Sequence, residues 1–600
     1  MLKKEQNKKF SLADFVWLGF NYTVVIGFIG NFAILSNISQ PDSIGIHVIW
    51  LFAVEGLIAG ICAWAFAKMA IVHHSNNNGA SYIYVRTSFG KFWGIFVAFM
   101  QYVALPFLIT IQVMMLIRGS FGADWVSKIN PDKSITVPWY AANWGSFGDL
   151  WLDFIGIAIY MSAAGIIFWG MKLYKKLANG TGIIKWVTAG FLILAGLVLS
   201  VQHGGENLSY WGHHTNFSLP GFIKTFNSCF FFFAGFEVFS TAGKNISNPE
   251  KNIGRGITLI MLISTIFYIV ISIIFFAVFT KFVQNMQMGT WSLGFKNKII
   301  LYGGPIINMI ISALALKINV AMQNYLYGGT SLQPLWAEGY LPDHLRKLNK
   351  DGIPIRASIL NLVITSLMIF IWLAIPDIIK GFSLTKQFGF MAIPAETMTY
   401  QQPFNVSSLT EASSAITIFI YGMVIAVILK LAYQRKIKMR VWEYLAFPIV
   451  FVILTFVFGW HYYSLINNIV ISDGRKRDSA IIGAAIELAF VAFSVSFATI
   501  WYFTYYRAKY LRRMKEQPEL QAKLDAEFEV RDDWKYVSLE IRHEIKNYLK
   551  RNQALYQAKT NINYQDAEHL LTELNLIVEK KVIVLMRKKM NQRMKNSQTI

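Results

Sequence analysis

Five ionisable residues stand inside long apolar stretches of this chain. They are Glu55, Lys185, Glu237, Lys317 and Glu487. A charged side chain costs about 2.5–3.5 kcal/mol to place at the centre of a bilayer, so a group kept there usually carries an ion or proton or pairs with another charge. A buried lysine that loses its proton can act as a proton carrier. We therefore predict coupling or gating roles for four of these residues, Glu55, Lys185, Glu237 and Lys317.

Both lysines also have a structural explanation. Lys185 lies about one turn inside its apolar stretch, so its long side chain can reach the polar interface. Lys317 lies near the middle of its stretch, where it can reach a water-filled vestibule or pair with Glu237. The sequence alone leaves these explanations open.

Two apolar stretches carry glycines near their centre, where a helix backbone can unwind. The first reads IGFIG at residues 26–30 and the second FAGFE at residues 233–237. Irregular backbone at membrane depth is tolerated only where it is buried in protein or lines a cavity, so interrupted spans indicate a binding site. The candidate substrate-binding residues are Ile26, Gly27, Phe28, Ile29, Gly30, Phe233, Ala234, Gly235 and Phe236.

An interrupted helix offers groups that suit an α-amino acid. Free N–H groups at a half-helix N-terminus attract a carboxylate, and free carbonyl groups attract an ammonium group. An α-amino acid presents both charges. The alternative is that these glycines only allow neighbouring helices to pack closely.

The elements that must position these residues are transmembrane helices. Hydrophobic residues make up 54% of the 600 residues and charged residues only 15%. Helical spans need about 20 apolar residues, whereas β-barrel strands alternate over about 10 residues, and this chain shows the helical pattern. We predict an all-α polytopic membrane protein with twelve spans, at about residues 12–36, 46–70, 93–117, 151–171, 182–201, 220–242, 257–280, 300–328, 357–375, 413–433, 443–465 and 481–505.

The two glycine-interrupted spans are the first and the sixth, which lie five helices apart. This spacing predicts two inverted five-helix repeats, and corresponding interruptions then meet at the bilayer midplane. The predicted units are 1–11 (N-terminus), 12–201 (first repeat, helices 1–5), 220–433 (second repeat, helices 6–10, with an extracellular insertion at 376–412), 443–505 (helices 11–12) and 506–600 (a basic amphipathic tail).

Basic residues set the predicted orientation. With the N-terminus inside, the cytoplasmic segments hold twice as many Lys and Arg as the opposite segments. Because Lys and Arg are retained on the cytoplasmic side, this asymmetry predicts a multi-pass protein of the cell membrane with both termini in the cytoplasm.

Charge, cysteines and histidines exclude several other classes. The net charge of +22 lies at helix ends and in the tail, so we expect anionic lipid at the basic tail and no nucleic acid. The two cysteines, Cys62 and Cys229, fall within predicted spans and give no disulfide framework. The histidine pairs at 73–74 and 213–214 fall in predicted loops without metal-ligand spacing, and the chain has no phosphate-binding glycine loop. We therefore predict no enzyme activity, no cofactor and no metal.

Three segments resemble the amino acid, polyamine and organocation (APC) superfamily of permeases. FAGFE at 233–237 followed by NISNPEKNIGRGI at 245–257 is similar to that family's sixth helix and the loop after it. Residues 76–107, which include NNNGASYIYVRTSFGKFWG, resemble the loop before the third helix and that helix. Residues 337–356, AEGYLPDHLRKLNKDGIPIR, resemble the loop after the eighth helix. The pattern is most similar to the glutamate/γ-aminobutyrate antiporter branch, on the Trp93-Gly94 and Asn349 to Pro354 segments.

The resemblance implies a five-plus-five inverted-repeat (LeuT-like) core, and it places Lys317 where related folds bind a sodium ion. The chain departs from the family pattern at Phe28 and Ile29, where most members have small residues. Thr330 stands where many members have an arginine, and Gly243-Lys244 replaces an acidic pair.

These observations together predict a secondary transporter. We expect it to move an α-amino acid by alternating access around helices 1 and 6, coupled either to protons or to exchange of a second amino acid. One alternative is an amino acid/amine antiporter of the glutamate–GABA type. The other, from a different class, is a membrane sensor that binds an amino acid without transporting it.

Overall fold

The computed structural model describes residues 11–24, 44–73, 80–114, 126–128, 136–138, 145–169, 171–214, 217–236, 247, 249–278, 322, 329, 335–336, 339–346, 354–388, 406–434, 436–471 and 473–527. The helices are α1 Leu12–Thr23, α2 Val48–Val72, α3 Ala80–Phe89, α4 Lys91–Met114, α5 Gly148–Gly165, α6 Met171–His214, α7 Leu219–Phe230, α8 Pro249–Val278, α9 Ile355–Ile369, α10 Ile375–Phe388, α11 Val406–Tyr433, α12 Glu443–Ile471, α13 Gly474–Trp501, α14 Arg507–Glu516 and α15 Pro518–Glu527. Strands β1 Val126–Lys128 and β2 Thr136–Pro138 pair antiparallel, with Ser127 opposite Val137.

The α2 and α8 helices form the centre of the bundle. α2 is apolar on all of its faces, as expected of a helix surrounded by protein or lipid, and it packs against α8 along its length. Gly56 permits this close approach, because a Cβ atom there would lie 2.2 Å from Thr265 Oγ1 of α8. α1, α6, α7 and α11 pack around this pair.

The outside of the bundle is apolar. Val187 and Val201 of α6 and Val452 of α12 are all exposed, and exposed apolar surface of this extent marks contact with another apolar phase. Within the described residues, six helical segments are long and apolar enough to cross a membrane: Gly45–Ala70, Gly145–Gly165, Asn252–Val278, Ile355–Phe382, Glu411–Tyr433 and Glu443–Ile471. The architecture is therefore that of a helical multi-pass membrane protein.

Several helices differ in extent from the predicted spans. The span at 12–36 loses helical geometry after Thr23, and the span at 182–201 is the middle of a much longer helix, α6. The span at 357–375 continues through a π-helical turn, Phe370–Ala374, into α10. In the last two cases polar residues lower the hydropathy of the flanks without breaking the helix, so hydropathy alone predicts spans that are too short.

Two sequence expectations need correction. The 376–412 segment, expected as an insertion between helices, is helical over its first part in α10 and again from Val406 in α11. The all-α expectation also misses the β1–β2 hairpin, which lies in the predicted loop after the third span. Short pairing of this kind leaves little periodicity in the sequence. The span at 300–328 lies outside the described residues, apart from Met322, and the twelve-helix count and the inverted repeat stay predictions.

The end of α13 joins the bundle to the two helices of the tail that the structure describes. Trp501 Nε1 donates to the Tyr340 carbonyl oxygen at 2.6 Å. The Lys91 ammonium, at the start of α4, lies 3.9 Å from the Tyr510 ring centroid. Gly339 has a φ of +87°, and a Cβ atom there would lie 2.5 Å from the Arg513 guanidinium of α14. The beginning of the tail therefore packs against the 339–340 segment and α4.

Candidate functional site

The sixth predicted span is interrupted at the residues that the sequence indicated. α7 ends at Phe230, a single 3-10 turn covers Phe231–Phe233, and Ala234 and Gly235 form a turn. Gly235 has a φ of +113°, which glycine adopts without steric cost and other residues rarely adopt. The interruption is therefore built on Gly235, while its role in binding stays a prediction.

The first helix also stops inside its predicted span. Ser11 caps its N-terminus, since Ser11 Oγ accepts from the Asp14 N–H at 3.2 Å and Asp14 Oδ2 accepts from the Ser11 N–H at 3.0 Å. The helix ends at Thr23, and Val24 has extended backbone angles. The glycine cluster at 26–30 lies outside the described residues, so unwinding at Gly27 stays a prediction.

Asn21 fixes the end of α1 against α6. Trp186 Nε1 donates to Asn21 Oδ1 at 2.6 Å, and the Trp186 ring stacks on Phe20 with centroids 4.3 Å apart. Gly182 provides the space for this contact, because a Cβ atom there would lie 2.8 Å from Asn21 Nδ2. The neighbouring Lys185 is in the same helix, and its side chain is outside the described set.

One tyrosine of α8 connects the end of α1 with the turn after α7. The Tyr268 hydroxyl lies 3.3 Å from the Thr23 carbonyl oxygen and 3.1 Å from the Phe232 carbonyl oxygen, at donating distance to both. Carbonyls at a helix end lack an intrahelical partner, and in a dry interior each needs a donor. The end of α1 and the turn after α7 therefore lie side by side, within reach of one hydroxyl group.

Aromatic rings surround the interrupted segment. Phe232, Phe233 and Phe236 are all buried. Phe233 meets Tyr268 edge-on at 5.4 Å, and Phe236 lies 4.8 Å from Tyr421 of α11. These three phenylalanines thus face neighbouring helices and not the outer surface. They give the segment an apolar lining with few polar groups.

Two buried polar groups near the interruptions have no partner among the described residues. Glu55 of α2 is fully buried, neither carboxylate oxygen has a hydrogen-bond partner there, and its carboxyl group acts electrostatically on the Cys229 thiol of α7. Thr23, at the end of α1, is 2% exposed and its hydroxyl is likewise unpartnered among these residues. Buried polar groups are normally hydrogen-bonded, so each of these two groups is a candidate to meet a water molecule, a ligand or an ion.

The structure brings some of the predicted site residues together and leaves others undescribed. Phe233, Ala234, Gly235 and Phe236 lie at the interruption, and Glu55 lies on the helix beside it. Glu237, Lys317 and residues 26–30 lie outside the described part of the chain, so their predicted roles stay predictions.

Tyr268 and Thr23 were not among the sequence-predicted site residues. Tyr268 was detectable in principle, because it stands in the middle of a strongly apolar span, where its hydroxyl needs a polar partner. Nothing in the sequence marks Thr23, since its importance follows from where α1 ends.

Comparison with known proteins finds several transporters that are similar to this chain. It is 25% identical over 331 residues to an uncharacterized transporter of Mycobacterium tuberculosis, which is 50% of this chain and 62% of that protein. It is 21% identical over 364 residues to the branched-chain amino acid permease BcaP of Lactococcus lactis, covering 58% and 73% of the two chains. It is 21% identical over 373 residues to cationic amino acid transporter 1 of Arabidopsis thaliana, covering 61% and 58%.

A solved structure of an Eremococcus coleocola manganese transporter aligns with a TM-score of 0.46 and 12% identity, over 85% of this chain and 97% of that one. The sequence alignments with the mycobacterial and plant relatives cover less than two thirds of the length of those proteins. The family profile described as amino acid permease matches residues 10–493, which include both interrupted helices. The chain belongs to the amino acid permease family.

Proposed function

We propose that this protein is a secondary transporter of α-amino acids that works by alternating access around the interruptions of α1 and α7. The contact of Tyr268 with both interruptions carries this proposal, because it places two half-helix ends at one position inside the bundle. Half-helix N-termini would hold the substrate carboxylate, and free carbonyls would hold its ammonium group.

The lining favours substrates with an apolar side chain. Phe232, Phe233 and Phe236 surround the interruption and offer no charged group to a substrate. This agrees with the branched-chain substrate named for the Lactococcus permease. The cationic transporter of Arabidopsis suggests a second class, for which Glu55 is the acidic group positioned beside α7. Both classes therefore belong in the substrate test.

For coupling, we propose that Glu55 carries the proton. A carboxyl group buried without a partner is costly to keep ionised, and it becomes compatible with its site when it binds a proton. Glu55 lies beside Cys229, which precedes the interruption of α7. A movement of α7 can therefore change the access of the Glu55 carboxyl group to water. Lys185, Lys317 and Glu237 stay proposed as further coupling or gating groups, as do the cytoplasmic termini and the lipid contact of the tail.

Uptake by purified protein in proteoliposomes tests the proposed function. Labelled leucine, lysine, glutamate and γ-aminobutyrate are supplied separately, with and without an inward proton gradient. We expect saturable uptake of leucine or lysine that rises with the gradient. Counterflow without any gradient would instead indicate exchange, and exchange of glutamate for γ-aminobutyrate would indicate the antiporter. Binding without flux of any substrate would identify a sensor and overturn the transporter proposal.

Glu55→Gln tests the proton carrier separately. The amide keeps the shape of the side chain but neither loses nor binds a proton at the pH of the assay. We therefore expect gradient-driven uptake to fall to the level measured without a gradient, while counterflow persists. The matched control is Glu516→Gln, which removes an exposed carboxylate that pairs with Arg512 four residues away. Undiminished stimulation of Glu55→Gln by the gradient would show that the proton binds elsewhere.

A further inference from the structure

A chain of buried polar groups leads from α13 through α12 to α7. Glu487 Oε1 lies 2.6 Å from His461 Nε2, and His461 Nδ1 lies 3.0 Å from Asn227 Nδ2. Glu487, His461 and Asn227 are 9%, 4% and 4% exposed, respectively. Asn227 lies one turn before the 3-10 turn that interrupts the helix.

A second contact joins the same part of α7 to α11. Asn227 Nδ2 also points to the backbone carbonyl oxygen of Glu411 at 3.4 Å, and the hydroxyl of Ser228 donates to Glu411 Oε1 at 2.9 Å. Two consecutive polar residues therefore attach α7 to the start of α11. The charged groups that face His461 from the packed helices, within the described residues, are Glu487 of α13 and Glu411 of α11.

The Glu411 carbonyl fixes the orientation of the Asn227 amide and hence the protonation of His461. A backbone carbonyl can only accept, so it is Nδ2, the donor, that faces Glu411 and His461. The His461 Nδ1 must then accept, which leaves the ring hydrogen on Nε2 to donate to the Glu487 carboxylate. This orientation of the amide corresponds to a neutral imidazole with its hydrogen on Nε2.

A proton added to His461 changes this arrangement. The imidazolium ion donates from both ring nitrogens, so its Nδ1–H would face the donor Nδ2 of Asn227. The amide relieves this conflict by rotating and presenting Oδ1, which has no hydrogen-bond partner among the described residues. The rotation then places Oδ1 against the Glu411 carbonyl oxygen, two acceptors together, and the contact of Asn227 with Glu411 is lost, so that only the Ser228 contact with Glu411 is left.

We propose that His461, held between Glu487 and Asn227, is a proton-binding site that controls the attachment of α7 to α11. The step transfers one proton from a hydronium ion to Nδ1: an N–H bond forms, an O–H bond of the hydronium ion breaks, and a water molecule is released. Histidine is the side chain whose ordinary titration falls at about pH 5–8, so the site would respond to acidification of one side of the membrane. The inference deepens the proposed function, because α7 carries one of the two interruptions.

The native cysteine of α7 reports this movement directly. Cys229 is fully buried and follows Asn227 by two residues, while the other cysteine, Cys62, is removed by Cys62→Ala. Labelling of Cys229 by a membrane-permeant maleimide is measured in proteoliposomes between about pH 5 and 8. Each rate is divided by that of His461→Gln at the same pH, since thiol reactivity itself depends on pH.

We expect the normalised rate of the parent protein to rise by about fivefold or more on acidification, a typical size for coupling between sites. Asn227→Ala should label rapidly at every pH, because its link to Glu411 is absent. Glu487→Gln, which serves if His461→Gln does not fold, should displace the pH at which labelling rises. His213→Gln, which changes an exposed histidine of α6, should behave like the parent.

Two outcomes would overturn the proposal: a normalised rate that does not change with pH, or a Glu487→Gln profile that coincides with that of the parent. Uptake measured on the same variants separates this proposal from the proposed function. Labelling that follows His461 in a protein with no flux would refute transport and keep the proton site. Flux in a protein whose Cys229 labelling does not depend on His461 would refute the proton site and keep the transport proposal.

Discussion

Tyr268→Phe is the most direct test of how the two interruptions are held together. The substitution removes one oxygen atom and keeps the ring that packs on Phe52 at 5.4 Å and meets Phe233 edge-on. The carbonyls of Thr23 and Phe232 lose the hydroxyl donor that lies between them.

The size of the effect follows from burial. A buried carbonyl left without a donor costs about 1–3 kcal/mol. Each 1.4 kcal/mol is about a tenfold change in an equilibrium constant, so the arrangement that holds both interruptions together becomes about 5- to 150-fold less favoured. In the proposed site only that arrangement offers both helix ends to a substrate, so the apparent affinity falls by up to the same factor.

The half-saturating substrate concentration for counterflow in proteoliposomes measures this change. We expect it to rise in Tyr268→Phe, by up to about 150-fold, with normal membrane insertion. Tyr174→Phe is the matched control, because Tyr174 of α6 is 1% exposed and Tyr268 0%. If the two variants have the same half-saturating concentration, the bridge does not organise the binding site, and the reasoning from the half-helix ends is wrong.

Three further perturbations test the surrounding structure. Gly235→Val should abolish uptake while the protein still inserts, because a β-branched residue cannot adopt the positive φ without strain; full activity would remove the interruption of α7 from the site. Gly56→Ala should lower the free energy of unfolding by about 1–3 kcal/mol, because the new methyl group overpacks α2 against α8. Gly60→Ala should not lower it, because nothing lies within 4 Å of the new Cβ. Equal melting temperatures for the two variants would contradict this packing. Glu443→Gln should also lower thermal stability, because it breaks a buried ion pair with Lys68 and leaves that ammonium poorly compensated; a melting temperature equal to that of the parent would show that the pair contributes nothing.

The sequence predicted the elements that depend on local composition. Long apolar runs predicted the positions of the six membrane-spanning candidates found among the described residues, because the length needed to cross a bilayer is a property of each segment alone. The interruption at Gly235 was predictable for a similar reason, since the unusual φ requires a particular residue at that position. The ends of α6 and α10 were not predictable in this way, because a helix continues through polar flanks when nothing interrupts its hydrogen bonds.

The arrangement of side chains between helices required the tertiary structure. Tyr268 and Thr23 are 245 positions apart, and Asn227 and His461 are 234 apart. Whether such residues meet depends on the rotation and depth of each helix in the bundle, which similar apolar sequences satisfy in many ways. The sequence by itself thus determined that this is a helical membrane protein with a glycine-built break in its sixth span. Only the packing of α8 against α1 and against the turn after α7 decided that the end of α1 and this turn meet at one hydroxyl. Only the packing of α12 and α13 decided that a histidine faces α7.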